Sequence, residues 1–210
     1  MNKDETIKEI KRSFRLLMNG VATDSMRRKG LSYHLSWGIS LSDLRKMSEE
    51  YEKDINLAIS LWKENIRECK ILATMLMPCD EMLPEIADIW ISEADNLELV
   101  EALAFNLLQN VSFASDYSFK LISSNNDLHQ ICGFHILSRL FIKGLIPCSR
   151  DIDELIDQIQ VTINGYQVIS LKKAALACAN KLYDLLIGSE CNVVVDKEDK
   201  IKRIGALIGI

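Results

Sequence analysis

The sequence predicts an all-α protein, an α-solenoid of stacked helix pairs, and three observations carry that prediction. Three prolines and nine glycines in 210 residues leave long stretches free for helix and too few turn residues for a β fold. Leu61–Met77 reads as a tight helix-turn-helix: one helix ends at Trp62, the chain turns over Lys63–Asn65, and a second helix starts at Ile66. In that second helix Ile66, Cys69, Leu72, Ala73 and Leu76 share one face, while Arg67, Lys70 and Thr74 fall on a separate polar face. Such a unit cannot bury its apolar side alone and reads as one rung of a stack. Helix pairs then begin near residues 54, 82, 114 and 150, a spacing of roughly 28–36 residues that suits helical repeats.

Taken in order, Asp4–Met18 is amphipathic, with Ile7, Ile10, Phe14 and Leu17 inward and a stop at Asn19-Gly20. Thr23–Lys29 is a short helix ended by Gly30. Ser40 is a cap residue for the next helix, with Asp43 three residues on. Asp54 caps Ile55–Trp62, Ile66–Met77 follows, and Pro78 forces a break. Glu81–Ile91 places Leu83, Ile86 and Trp90 inward. Asp95 with Glu98 resembles a capping box that opens Leu97–Asn110. Tyr117–Ser123 is short, and Asp127–Lys143 is long, apolar and stopped by Gly144 and Pro147. Ser149 or Asp151 opens a helix to Ile163, and Ser170–Ile187 follows the Asn164-Gly165 turn. These elements form one domain over residues 1–188. The remaining tail, 189–210, takes no firm structure from its pattern, with Val193–Val195 as a short extended piece.

The composition excludes several classes. Apolar residues are 48% and charged residues 26%, ordinary for a globular chain. The charged start and the lack of an apolar run of about 18 residues predict a cytoplasmic protein with no membrane contact. Six cysteines without a CxxC pair read as free buried thiols, and no His–Cys spacing suits zinc, so no metal and no cofactor is expected. There is no Gly-rich phosphate loop and no HExxH, and His135, Ser138 and Asp127 make no convincing triad. A net charge of −5 weighs against strong non-specific nucleic-acid binding, unless a local basic face overrides it.

GISLSDLRKMSEEY (Gly38–Tyr51) followed by LWKENIRECKILATML (Leu61–Leu76) resembles the N-terminal signature of the DNA alkylation repair proteins, the AlkD-like alkylpurine DNA glycosylases. The resemblance spans roughly residues 20–110, with helix lengths that fit beyond. It implies a curved array of HEAT-like repeats whose concave basic face holds duplex DNA; the chain is expected to act as a monomer. It also implies excision of N3- and N7-alkylated purines without base flipping, with tryptophans and a carboxylate near the lesion's sugar. The family's Trp and, four residues on, Asp fall by position on Leu97 and Glu101. A second family tryptophan falls near Ala177 in LKKAALACANK, and the family's arginines fall near Cys132 and Gly133; no Trp follows Trp90. The chain thus lacks both aromatic surfaces and carries Glu for Asp, which leaves enzyme activity open.

On this resemblance Glu101 is the candidate catalytic carboxylate; its plain alternative is a solvated helix glutamate. Glu98 reads as a cap partner. Arg67 and Lys70 are candidate phosphate contacts, against a solvated face shared with Lys63, Glu64 and Glu68. Arg27, Arg28 and Lys29, beside Ser32, Tyr33 and Trp37, form a basic cluster that reads as a DNA-backbone edge or a surface loop. Lys172 and Lys173 join the DNA-binding set. Trp37, Trp62 and Trp90 read as core. Two functions follow: a DNA-binding repair protein with weak or lost excision, or a catalytically inactive helical scaffold that binds protein or undamaged nucleic acid.

Overall fold

The computed structural model describes residues 3–31, 33–165, 168–188 and 194–210; the regular elements among them are helices joined by short connections, with a single isolated parallel bridge between Leu35 and Ile66. The chain forms two compact units, Met1–Leu107 and Leu108–Ile210. Ser32, Cys191 and Val193 lie outside the described residues.

The first unit holds α1 (Lys3–Leu17), α2 (Gly20–Arg28), α3 (Leu41–Ser48), α4 (Ile55–Trp62), α5 (Arg67–Leu76), α6 (Pro84–Ser92) and α7 (Leu97–Ala102). Side-chain caps set most starts. Ser40 accepts from the Asp43 N–H at 3.1 Å, and Asp54 accepts from the Leu57 N–H at 2.6 Å. Asn19 accepts from the Ala22 N–H at 3.1 Å, so α2 begins three residues before the expected Thr23. The Asn19-Gly20 pair that stops one helix thereby starts the next. Pro84 takes the first turn of α6, where its missing N–H costs nothing. Ile10, Phe14, Leu44, Leu61, Ile71, Leu72 and Leu99 are fully buried. Trp62 and Trp90, each 3% exposed, stack with ring centroids 4.4 Å apart, which puts both in the core as their helical faces predicted.

After α7 the helical path continues to Asn110, but Leu103–Leu107 forms a π turn and Leu108–Asn110 a 3₁₀ turn. Glu98 is not the cap partner of Asp95. Asn96 caps α7, accepting from the Leu99 N–H at 3.1 Å, because the Glu98 carboxylate is engaged elsewhere.

The second unit holds α8 (Ala114–Ile122), α9 (Asp127–Ile142), α10 (Ser149–Asn164), α11 (Ile169–Gly188) and α12 (Lys197–Ile208). Helix α9 lies between α8 and α11 and is buried along nine of its residues, from Ile131 to Phe141. Gly133 allows the close crossing with α8: a Cβ there would lie 2.7 Å from the Ser118 carbonyl oxygen and from Ile122 Cγ1. The tail carries a helix that the pattern did not assign. In α12, Ile204 is buried, Lys200 Nζ meets Asp153 at 2.6 Å, and Arg203 bridges Asp153 and Asp157 at 2.9 and 2.7 Å. Tertiary partners on α10 and α11, not local periodicity, hold it. Cys69, Cys132 and Cys178 are buried thiols, and burial pushes those of Cys69 and Cys178 up to about 12. Among the described residues no helix is long and apolar enough to cross a membrane.

Candidate functional site

The first unit is organised around a buried ion cluster that begins at Arg67. This side chain is 1% exposed, so the solvated basic face expected at Arg67 and Thr74 is corrected: both point inward. Its Nε and Nη2 donate to Glu98 Oε2 and Oε1 at 2.7 and 2.6 Å, a two-pronged pair from α5 to α7. Its Nη1 donates to the Ile39 carbonyl and to Glu68 Oε1, both at 2.9 Å. Burial opposes the guanidinium charge, but the Glu98 and Glu68 carboxylates more than offset it and raise its pKa. With its donors spent inside the fold, Arg67 is not a phosphate contact.

Glu68, fully buried, is the second surprise. Its carboxylate accepts the backbone N–H groups of Trp37, Gly38 and Ile39 at 3.1, 3.0 and 3.3 Å. It thereby fixes the loop before α3. Gly38 sits there at φ +72°, and an added Cβ would fall 2.2 Å from the Asn19 carbonyl oxygen. The Arg67-Glu68 dipeptide in the signature segment is thus explained by structure: one member grips the next repeat, the other the preceding loop.

Glu98 also accepts from the Tyr33 hydroxyl at 2.7 Å. Burial would raise its pKa, but the hydrogen bonds and charge of Arg67, with help from Tyr33, hold it below the usual carboxylate value. The Tyr33 hydroxyl is held protonated by burial and by Glu98.

Glu101 lies one turn further along α7 and is half-buried. Burial, and then the negative Glu98, push its pKa above the ordinary value. Leu97 and Glu101 are both half-buried on α7, and the half-buried Phe105 follows in the π turn. In the second unit, Ala177 is exposed on α11 with Lys173 one turn before it and Lys181 one turn after; Lys172 is half-buried. Ser138 donates to the Phe134 carbonyl of its own helix at 2.7 Å.

Lys70 does not share the Arg67 cluster. Its ammonium lies 5.0 Å from the Trp62 ring centroid, at a cleft of about 480 Å³ also lined by Ile59, Lys63, Ile89 and Glu93. Trp62 Nε1 donates to Glu93 there at 2.7 Å. Arg27 and Arg28 end α2 and, with Lys29, are exposed. Sequence reasoning missed Tyr33, Glu68 and Glu98 as members of one cluster, because their partners lie 30 to 65 residues away and no short-range pattern links them.

Comparison with known proteins agrees with this architecture. A solved structure described as a new family of proteins related to the HEAT-like repeat DNA glycosylases, with affinity for branched DNA structures, superposes with a TM-score of 0.78. It is 16% identical and covers 96% of this chain and 82% of its own, which establishes the HEAT-like repeat fold. No curated protein matches the sequence. The family model described as DNA alkylation repair enzyme matches residues 7–165, a span that holds the Arg67 cluster and Glu101, and the chain belongs to that family.

Proposed function

We propose that the protein binds duplex DNA and excises N3- or N7-alkylated purines weakly, with Glu101 as the carboxylate that favours the cationic sugar during glycosidic cleavage. The observation that carries this reading is the position of Glu101: half-buried on α7, one turn after Leu97, within the family-matched span. A carboxylate in such surroundings stabilises developing positive charge more than a solvated one does. The Arg67–Glu98 pair, one turn away, fixes the helix that presents it. Arg27, Arg28, Lys29 and Lys70 in the first unit, and Lys172 and Lys173 in the second, are the phosphate contacts of this reading.

A second reading, DNA binding without excision, is favoured by Leu97 and Ala177, neither of which offers an aromatic face to a cationic lesion. Affinity for branched DNA in the structural neighbour supports it. Single-turnover release of 7-methylguanine from a methylated duplex separates the two. Slow release by the native protein, abolished in Glu101→Gln, supports excision. Equal release by both proteins removes Glu101 from the chemistry, and no release by either leaves the binding reading.

A further inference from the structure

We propose that the corner between α1 and α2 is an apolar wedge that covers exposed base faces at a DNA branch point. The proposal rests on the DNA-binding reading and adds a segment and a DNA structure to it. Four large apolar side chains crowd this corner in the open. Leu16 is 86% exposed, Leu17 42%, Met18 59% and Val21 78%. Scattered exposed apolar residues are normal, but four within six consecutive positions form a patch that marks an interaction site.

The corner is also braced. The Asn19 N–H donates to the Trp37 carbonyl at 2.8 Å, and Asn19 caps α2. Thr23 Oγ1 donates to the Asn19 carbonyl at 3.2 Å, and Gly38 packs too close beneath it to admit a Cβ. The Glu68 carboxylate secures Trp37 and Gly38 from below. These contacts fix the backbone, so the apolar side chains stay presented instead of folding back onto the protein.

The surrounding charge selects the partner. Residues 11–29 carry Lys11, Arg12, Arg15, Arg27, Arg28 and Lys29 against the single carboxylate of Asp24, a local +5 in a chain of net −5. Lys11 pairs with Glu64 at 2.7 Å; the other five cations form no ion pair among the described residues. Arg12 and Arg15 flank the apolar corner on α1, and Arg27 and Arg28 lie about 10 Å along α2 from Val21 at 1.5 Å per residue. Exposed cations on both sides of an apolar tip fit a polyanion with an apolar surface between its charges. A branched DNA in its open form has that surface: an arm that does not stack on its neighbour ends at the branch in a base pair with one uncovered face, flanked by phosphates. Apolar side chains placed against base steps are an established way to hold distorted DNA. An anionic membrane shares the charge but fits less well, because the long apolar stripe of α1, Ile7, Ile10 and Phe14, is turned inward and buried.

The test uses the full chain, a four-way DNA junction and a linear duplex of equal length and composition. The native protein should bind the junction about tenfold or more tightly than the duplex. The triple variant Leu16→Ser, Met18→Ser, Val21→Ser alters only exposed side chains and should keep its helical signal and its duplex affinity. It should lose the junction preference to within about twofold, and it should no longer brighten 2-aminopurine placed at the branch, a signal of base unstacking that charge alone does not move. Arg12→Gln with Arg15→Gln should instead weaken both DNAs together and lower the salt slope by about two. A junction preference that survives in the triple variant overturns the wedge and leaves DNA binding standing. Failure of the native protein to bind either DNA overturns both. Phosphatidylserine vesicles bound by the native protein and not by the triple variant, with junction preference unchanged, assign the corner to a membrane instead.

Discussion

Replacing Arg67 with Met should destabilise the first unit more than any other single change at a charged residue in it. The variant keeps much of the side-chain volume but leaves Glu98, 17% exposed, without its two-pronged partner, and Glu68, fully buried, without one of its donors. Removing one member of a buried ion pair costs about 3–5 kcal/mol, because the surviving charge stays desolvated. For a chain of this size each kcal/mol lowers Tm by roughly 2–4 °C, so the midpoint should fall by about 6–20 °C. Arg67→Lys should fall between, since one ammonium cannot span both Glu98 oxygens. Arg67→Met with Glu98→Met should recover part of the loss, because no orphaned carboxylate remains at Glu98 while Glu68 keeps its three backbone donors. The cluster also predicts acid lability. The folded pKa of Glu98 is depressed, so its contribution is present above the unfolded value and disappears as pH falls through the folded one. Thermal melts from pH 7 downward on native and Glu98→Gln proteins check this. A Tm for Arg67→Met within about 2 °C of native would refute the claim that the pair is buried and coupled.

Three further outcomes follow from the geometry. Base excision should be slower by about one to three powers of ten than in a relative with both aromatic faces, at roughly 0.5–2 kcal/mol per missing cation–π contact, and Leu97→Trp should raise single-turnover release about two- to thirtyfold. If the ionised form of Glu101 supports cleavage, excision rises with pH through an apparent pKa above that of an ordinary glutamate, and Glu98→Gln moves the rise to lower pH by removing a negative neighbour; a profile unmoved by that change would separate Glu101 from the step. Gly133→Ala should lower stability by about 1–3 kcal/mol through overpacking at the α8–α9 crossing, measured by urea unfolding, whereas the open Gly20 should tolerate Ala within about 1 kcal/mol.

The apolar pattern identified the helices before residue 189, because 3.6-residue periodicity and cap residues are local signals. Ile55–Trp62 matches α4 to the residue, since Asp54 supplies a cap that needs no tertiary help. Arg67 shows where that reading stops. On a helical wheel it shares a side with Lys70, and charge is ordinarily surface; its burial depends on Glu98, 31 residues later on another helix. The same distance hid the cap of α7, though not its start at Leu97. Asp95 with Glu98 is a sound box in isolation, yet Glu98 is recruited by Arg67 and Tyr33, so the neighbouring Asn96 takes over the cap. Helix α12 was illegible for a related reason: its register is held by Asp153 and Asp157, about fifty residues upstream.

The polar links of the first unit recur at nearly one interval. Ser36 reaches Glu68 across 32 positions, Trp62 reaches Glu93 across 31, Arg67 reaches Glu98 across 31, and Thr74 meets Asn106 across 32. That interval is one repeat, so each helix pair is tied to the next by side chains and not by apolar packing alone. In a linear array of this kind the free energy of a rung is shared with its neighbours. Loss of one tie therefore does not melt a single helix; it lowers the barrier to opening at that joint. Amide exchange should report the α5–α7 joint as a boundary, with protection falling together on both sides once the Arg67 tie is cut. The repeats are not alike in sequence, and what they share is the spacing of these bonds.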